Sequence, residues 1–178
     1  MQKQLLAVKS NIFFLKQGVE LLSAVSDEQY SSNNGKYNKS GIGRHFRHIV
    51  EHYYSLLAEQ NGFVDYDARE RDLRLENDRE FMIQSMEKVS ESLRNLNSDD
   101  LERRIKVRSN EGIGEENAPL SESTIRRELQ FLISHTVHHY ALIGLILKTM
   151  GFEPSPEFGI APSTLKYEQE FRAGVEAS

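Results

Sequence analysis

Ile125-Arg-Arg-Glu-Leu129-Gln-Phe-Leu132-Ile-Ser-His135-Thr136-Val-His138-His139-Tyr-Ala-Leu-Ile143-Gly-Leu-Ile146-Leu-Lys-Thr-Met150 is the stretch on which the fold reading turns. Ile125, Leu129, Leu132, Thr136, His139, Ile143, Ile146 and Met150 recur at alternating intervals of four and three, the period of one helix face. Pro119 and Ser121 precede the stretch, and Ser121 is the expected N-cap. Gly151 closes it. A long helix therefore carries two histidines, His135 and His139, one turn apart on or beside its apolar stripe, while His138 falls toward the outer face.

The same rhythm appears three times upstream. Leu5, Val8, Ile12, Leu15, Val19 and Leu22 predict a first helix over about 3–25. Residues 26–40, rich in Ser, Asn and Gly, read as a loop. Ile42, Phe46, Ile49, Tyr53 and Leu56 predict a second helix ending near Asn61–Gly62. Asp65 to Asp78, dense in charge, reads as an irregular connection. Met82, Met86, Val89, Leu93 and Leu96 mark a third helix. From Ser98 to Leu120 the period is lost, although Arg104-Ile-Lys-Val-Arg108 alternates as a short strand would.

Four amphipathic helices, each with one apolar stripe, bury it against one another, so the expectation is an all-α four-helix bundle with long irregular connections. Pro154, Pro156 and Pro162 lie beyond the last helix, where an extended tail laid over the bundle is expected. With 178 residues the chain is expected to be one domain, the bundle over about 1–151 and the tail over 152–178.

The formal net charge is -5. Arg103–Arg104 and Arg126–Arg127 are flanked by acids, so the chain does not read as a nucleic-acid binder. The run from Ala141 to Leu147 is too short for a membrane span, and the residues after Met1 lack the apolar core of a signal peptide. The sequence contains no cysteine, so it holds neither a disulfide framework nor a thiolate metal site. A cytoplasmic protein is the expectation.

All six histidines fall in two windows: His45, His48 and His52 on the second helix, and His135, His138 and His139 on the fourth. A lone inward histidine is usually a hydrogen-bonded core residue. Two at i, i+4 facing a second cluster point instead to a divalent metal ion held between helices. His48-Ile-Val-Glu51-His52 also matches H-x-x-E-H, a zinc peptidase pattern in which Glu51 would be the general base; that reading leaves His135 and His139 without a role. A ferritin-like di-iron site needs Glu-x-x-His, and none of the six histidines has Glu three residues before it.

Ile42-Gly-Arg-His-Phe-Arg-His48-Ile-Val-Glu51 on one helix and His135-Thr-Val-His138-His139 on the last resemble the DinB/YfiT-like family of four-helix-bundle metalloproteins, over roughly residues 1–150. The resemblance implies that His48, His135 and His139 hold one divalent ion, zinc or nickel. Glu51 would orient an imidazole or act as a base, and His52 would be the substitute ligand. The helical wheel itself places His45 and His52 nearer the apolar stripe than His48. Where many members continue with Arg-Gly-Gln, this chain has Tyr140-Ala-Leu. Asp65-Tyr-Asp-Ala-Arg69-Glu-Arg71-Asp with Glu76, and Phe158-Gly-Ile-Ala-Pro-Ser-Thr-Leu165, look like a subgroup signature. Their plain reading is a surface ion-pair network and a docked tail. Their functional reading is that Arg69 or Arg71 grips an anionic group near the metal.

Three imidazoles leave a fourth position open, the arrangement of catalytic zinc. Relatives that use a low-molecular-weight thiol imply a metal-dependent transferase joining a small thiol to an electrophile. The alternative is a non-catalytic, stress-related metal protein, and either could be a homodimer.

Overall fold

In a computed structural model, residues 5–32, 41–113 and 118–176 are described. The elements are α1 (Leu6–Ala24), α2 (Asp27–Ser31), α3 (Ile42–Leu57), β1 (Phe63–Asp65), α4 (Leu73–Asn77), α5 (Arg79–Arg94), α6 (Ser98–Glu102), β2 (Arg104–Arg108), β3 (Ser121–Thr124), α7 (Ile125–Thr149) and α8 (Pro162–Glu176). The protein is mostly helical, with one small sheet. Each of the four long helices packs on two others: α1 on α5 and α7, and α3 on α5 and α7.

The apolar stripes make the core. Ile42, Phe46, Ile49 and Tyr53 of α3 are fully buried, as are Met82, Met86 and Leu93 of α5 and Val8, Leu15 and Leu22 of α1. On α7 the stripe follows the expected register as far as Thr136. It then runs through Tyr140, Ile143 and Leu147, and His139 is only half buried. Three side chains pair polar groups across the core. Tyr53 Oη donates to Asn11 Oδ1 at 2.7 Å, Asn11 Nδ2 donates to the Leu129 carbonyl at 3.1 Å, and Tyr140 Oη donates to the Phe14 carbonyl at 2.9 Å. These ties link α1 to both α3 and α7.

Several boundaries differ from the sequence reading. α7 starts three residues later than expected, because Thr124 rather than Ser121 is the N-cap, its side chain accepting from Arg127 N. Ser121–Thr124 is instead a strand, antiparallel to β2, while β1 runs parallel to β2 on its other side. α3 ends at Leu57, and Asn61 and Gly62, at φ 55° and 75°, turn the chain into β1. The connection 65–78 contains α4, and the loop 26–40 begins with α2, capped at both Ser26 and Gln29. The rest of that loop, residues 33–40, lies outside the described residues, as do residues 3–4 of the expected first helix.

The tail is not simply extended. Phe158 stacks on Tyr140, with ring centroids 4.5 Å apart, and Gln17 Nε2 donates to the Glu157 carbonyl. Gly159, at φ 73°, allows this close approach to α7. Pro162 then occupies the first position of α8, where its missing N–H has no helical partner to lose.

α3 and α4 touch at Gly43, where an added Cβ would lie 2.1 Å from the Glu76 carbonyl oxygen. Backbone cannot yield as a side-chain tip does. Gly43→Ala is therefore expected to lose about 1–3 kcal/mol of stability, read by urea denaturation. An unchanged midpoint would show that α4 is free to shift.

Candidate metal centre

α3 and α7 pack side by side and turn their histidines toward one another. His48 and His135 occupy the centre, ring centroids 4.9 Å apart. His52 lies 4.4 Å from His48 and 4.3 Å from His135. On the other side, His139 lies 4.8 Å from His48 and 4.7 Å from His135. Two three-imidazole sets thus share His48 and His135. Ligand nitrogens of His48, His52 and His135 fall within 4.8 Å of one another. His45 and His52 are the buried histidines of α3 and His48 is half buried, as the helical wheel indicates. His138 is exposed.

The rings are held from behind. His52 Nδ1 lies 2.6 Å from the His48 carbonyl, to which it donates, leaving Nε2 as the acceptor nitrogen. His45 Nδ1 and His139 Nδ1 are 2.9 Å apart and share one hydrogen, so the Nε2 of His139 is free to face elsewhere. His135 Nε2 is buried without a hydrogen-bond partner. Buried polar nitrogens rarely stay unpartnered. One on a ring that neighbours three other imidazoles offers a ligand atom to a metal ion, and the donor set, neutral nitrogen throughout, suits a borderline cation such as zinc or nickel.

Burial, reinforced by neighbouring imidazoles, drives the histidine pKa values down: to about 4 for His135, about 3 for His52 and His139 and about 2 for His48. Burial also lowers that of His45. All five are therefore neutral, the form that binds metals, at pH 7. In the unfolded chain the same groups protonate near 6.5. Between these limits the unfolded state binds more protons, so metal-free stability must fall as pH drops from about 6.5 toward 4. Equal denaturation midpoints at pH 7 and pH 5 would contradict the burial of this cluster.

Charged groups border the site. Arg69 Nη1 lies 3.3 Å from His52 Nε2 and also donates to the Tyr66 carbonyl. Glu51 is buried; its Oε1 accepts from Arg47 Nη1 at 3.3 Å and from the Asp72 N–H at 3.1 Å. Burial raises the Glu51 pKa against the lowering effect of Arg47. Arg47 Nε in turn lies 3.0 Å from Glu76 Oε2. Glu51 thus ties the segment that carries Arg69 onto α3. Arg71 is exposed on that segment. A cavity of about 460 Å³ opens beside Glu51 and Arg69.

Sequence reasoning passed over Arg47, Tyr66 and Phe131. Tyr66 stacks on His52 at 5.4 Å and Phe131 lies 5.3 Å from His135. Phe131 had a usable signal, since it stands one turn before His135 on the same face. Tyr66 is placed by the sheet, its N–H donating to the Arg108 carbonyl, and has no local signal.

Packed helices that bring imidazoles together from two of their number define a class of helical protein with a histidine cluster close enough to hold a metal ion. The chain belongs to the DinB family, whose sequence pattern matches residues 1–161. FK506-binding protein 5 of Rhizopus delemar is similar, 28% identical over 104 residues that make up 58% of this chain and 27% of that protein. The matched region thus spans about a quarter of that relative's length. No solved structure matches the chain. Among the described residues no helix is long and apolar enough to cross a membrane.

Proposed function

We propose that this chain holds one divalent ion, zinc or nickel, through His48, His135 and His139, and that it transfers a low-molecular-weight thiol to an electrophile. The observation that supports this reading best is the meeting of imidazoles from α3 and α7: ligand nitrogens of His48, His52 and His135 fall within 4.8 Å of one another, and the His139 ring adjoins those of His48 and His135 at 4.8 and 4.7 Å. Arg69 argues for His139 over His52 as third ligand. Its guanidinium stays charged and sits on His52 Nε2, where a second cation would be repelled. A divalent ion on three imidazoles supplies an open position at which a thiol or water loses its proton near neutral pH.

The chain's own residues do the rest. His45 fixes the His139 ring through the Nδ1 contact, as a partner behind a ligand does. We assign to Arg69, half buried beside His52, the holding of a carboxylate of the thiol, with Arg71 adding positive charge at the surface. Glu51 is a positioning residue that keeps Arg69 against His52. The zinc-hydrolase reading, with His48 and His52 as ligands and Glu51 as base, leaves His135 and His139 without a role, although both lie against His48. The thiol comes from outside, since the chain has none. We take the four long helices to be a four-helix bundle.

The test is a screen of cellular thiols against a haloarene and an epoxide with metal-loaded protein. A metal-dependent rate is expected for at least one thiol, lost in His135→Ala and reduced less in Glu51→Gln. No such rate for any thiol would favour a non-catalytic protein whose ion fastens α3 to α7.

A further inference from the structure

A second cavity, of about 280 Å³, lies between the sheet and the start of α7, against the outer faces of the two rings that cover the histidines. Tyr66 and Phe131, centroids 5.7 Å apart, form part of its wall while also packing on His52 and His135. The acid lining it most deeply is Glu128, whose residue is 7% exposed. Tyr66 Oη donates to one Glu128 oxygen at 3.0 Å and Ser123 Oγ donates to the other at 2.5 Å. Burial, followed by the adjacent Glu128 charge, raises the Tyr66 pKa, so the phenol keeps its proton and remains a donor.

We propose that this cavity binds a small organic ammonium group, placing a cationic ligand one ring away from the histidine cluster. The chemistry has three parts. A carboxylate with two donors still has acceptor capacity for an ammonium N–H, because its oxygens carry about four lone-pair sites between them. Aromatic faces attract a cation beside them. The lining also contains Glu111 and Glu122 against a single base, Arg127, which is exposed. An anionic ligand would instead have to face Glu128 at the cavity's inner wall. The binding itself requires no metal.

Benzylamine, benzyl alcohol and benzoate share a ring and differ in charge, so titrating each into metal-free protein by NMR tests the assignment. Benzylamine is expected to bind at least about tenfold more tightly than either of the others and to shift aromatic resonances of Tyr66 and Phe131. Glu128→Gln should remove that preference, and Phe131→Ala should weaken benzylamine if Glu128→Gln does not fold. His48→Ala should leave it intact, which separates this site from the metal reading. Equal affinity for the three probes, tighter benzoate, a preference that survives Glu128→Gln, or no saturable benzylamine binding would overturn the proposal.

Discussion

His135→Ala is expected to take the protein from one bound divalent ion per chain to none, with His138→Ala keeping its full complement. His135 is central to both imidazole sets, its Nε2 is buried and unpartnered, and His138 is an exposed neighbour. Removing a ligand should weaken binding by more than the roughly 10–100-fold that loss of a supporting residue brings. His139→Ala should lose the ion as well, and His52→Ala should retain it. The reverse outcome for that pair would move the third ligand to His52 while leaving the site in place. Fold should survive in every case, because the apolar stripes rather than the ion supply the buried area; collapse of the helical circular dichroism on chelation would show otherwise. Equal retention by His135→Ala and His138→Ala, measured by elemental analysis of untagged protein, would rule out the assignment.

Arg47→Ala is expected to destabilise the protein by about 3–5 kcal/mol. The guanidinium is buried between Glu51, also buried, and Glu76 on α4. Its removal leaves Glu51 with the Asp72 N–H as its remaining partner and Glu76 facing α3 without compensation. Combining it with Glu51→Gln should recover part of the loss, since the more deeply buried of the two orphaned carboxylates is then neutral and Glu76 alone stays uncompensated. The effect should also reach the site, because Glu51 anchors the segment bearing Arg69. A loss under about 1 kcal/mol by urea denaturation would mean that water solvates these charges as it does a surface pair.

Arg47 also shows what the sequence could not reveal. Its neighbours on α3, Phe46 and Ile49, announce their burial by period. A buried arginine does so only through partners, and Glu76 comes from an element with no periodic signal. The four long helices were legible because each repeats its apolar residues over several turns. β3, Ser-Glu-Ser-Thr, has no apolar alternation and exists because β2 offers it a ladder. α8 was missed because its proline reads as a breaker until its place at the first helical position is known. The histidine windows were legible as chemistry, and the structure brings five of the six together. Their angular order on α3 was visible too: His45 and His52 are buried and His48 is half exposed, as the helical wheel required. Which imidazoles join His48 and His135 depends on Arg69 and on the His45–His139 contact, across 17 and 94 residues of chain respectively, and no local pattern carries that.

Titration of metal-free protein with cobalt(II), followed in the visible spectrum, tests the central claim most directly. A site of three imidazoles with one open position should give a sharp end point at one equivalent and the intense bands of four-coordinate cobalt. Those bands should shift when a small thiol is added and be absent in His135→Ala. A gradual rise with no end point, bearing only the weak spectrum of hydrated cobalt, would mean that the histidines of α3 and α7 meet as a packed cluster and hold no ion.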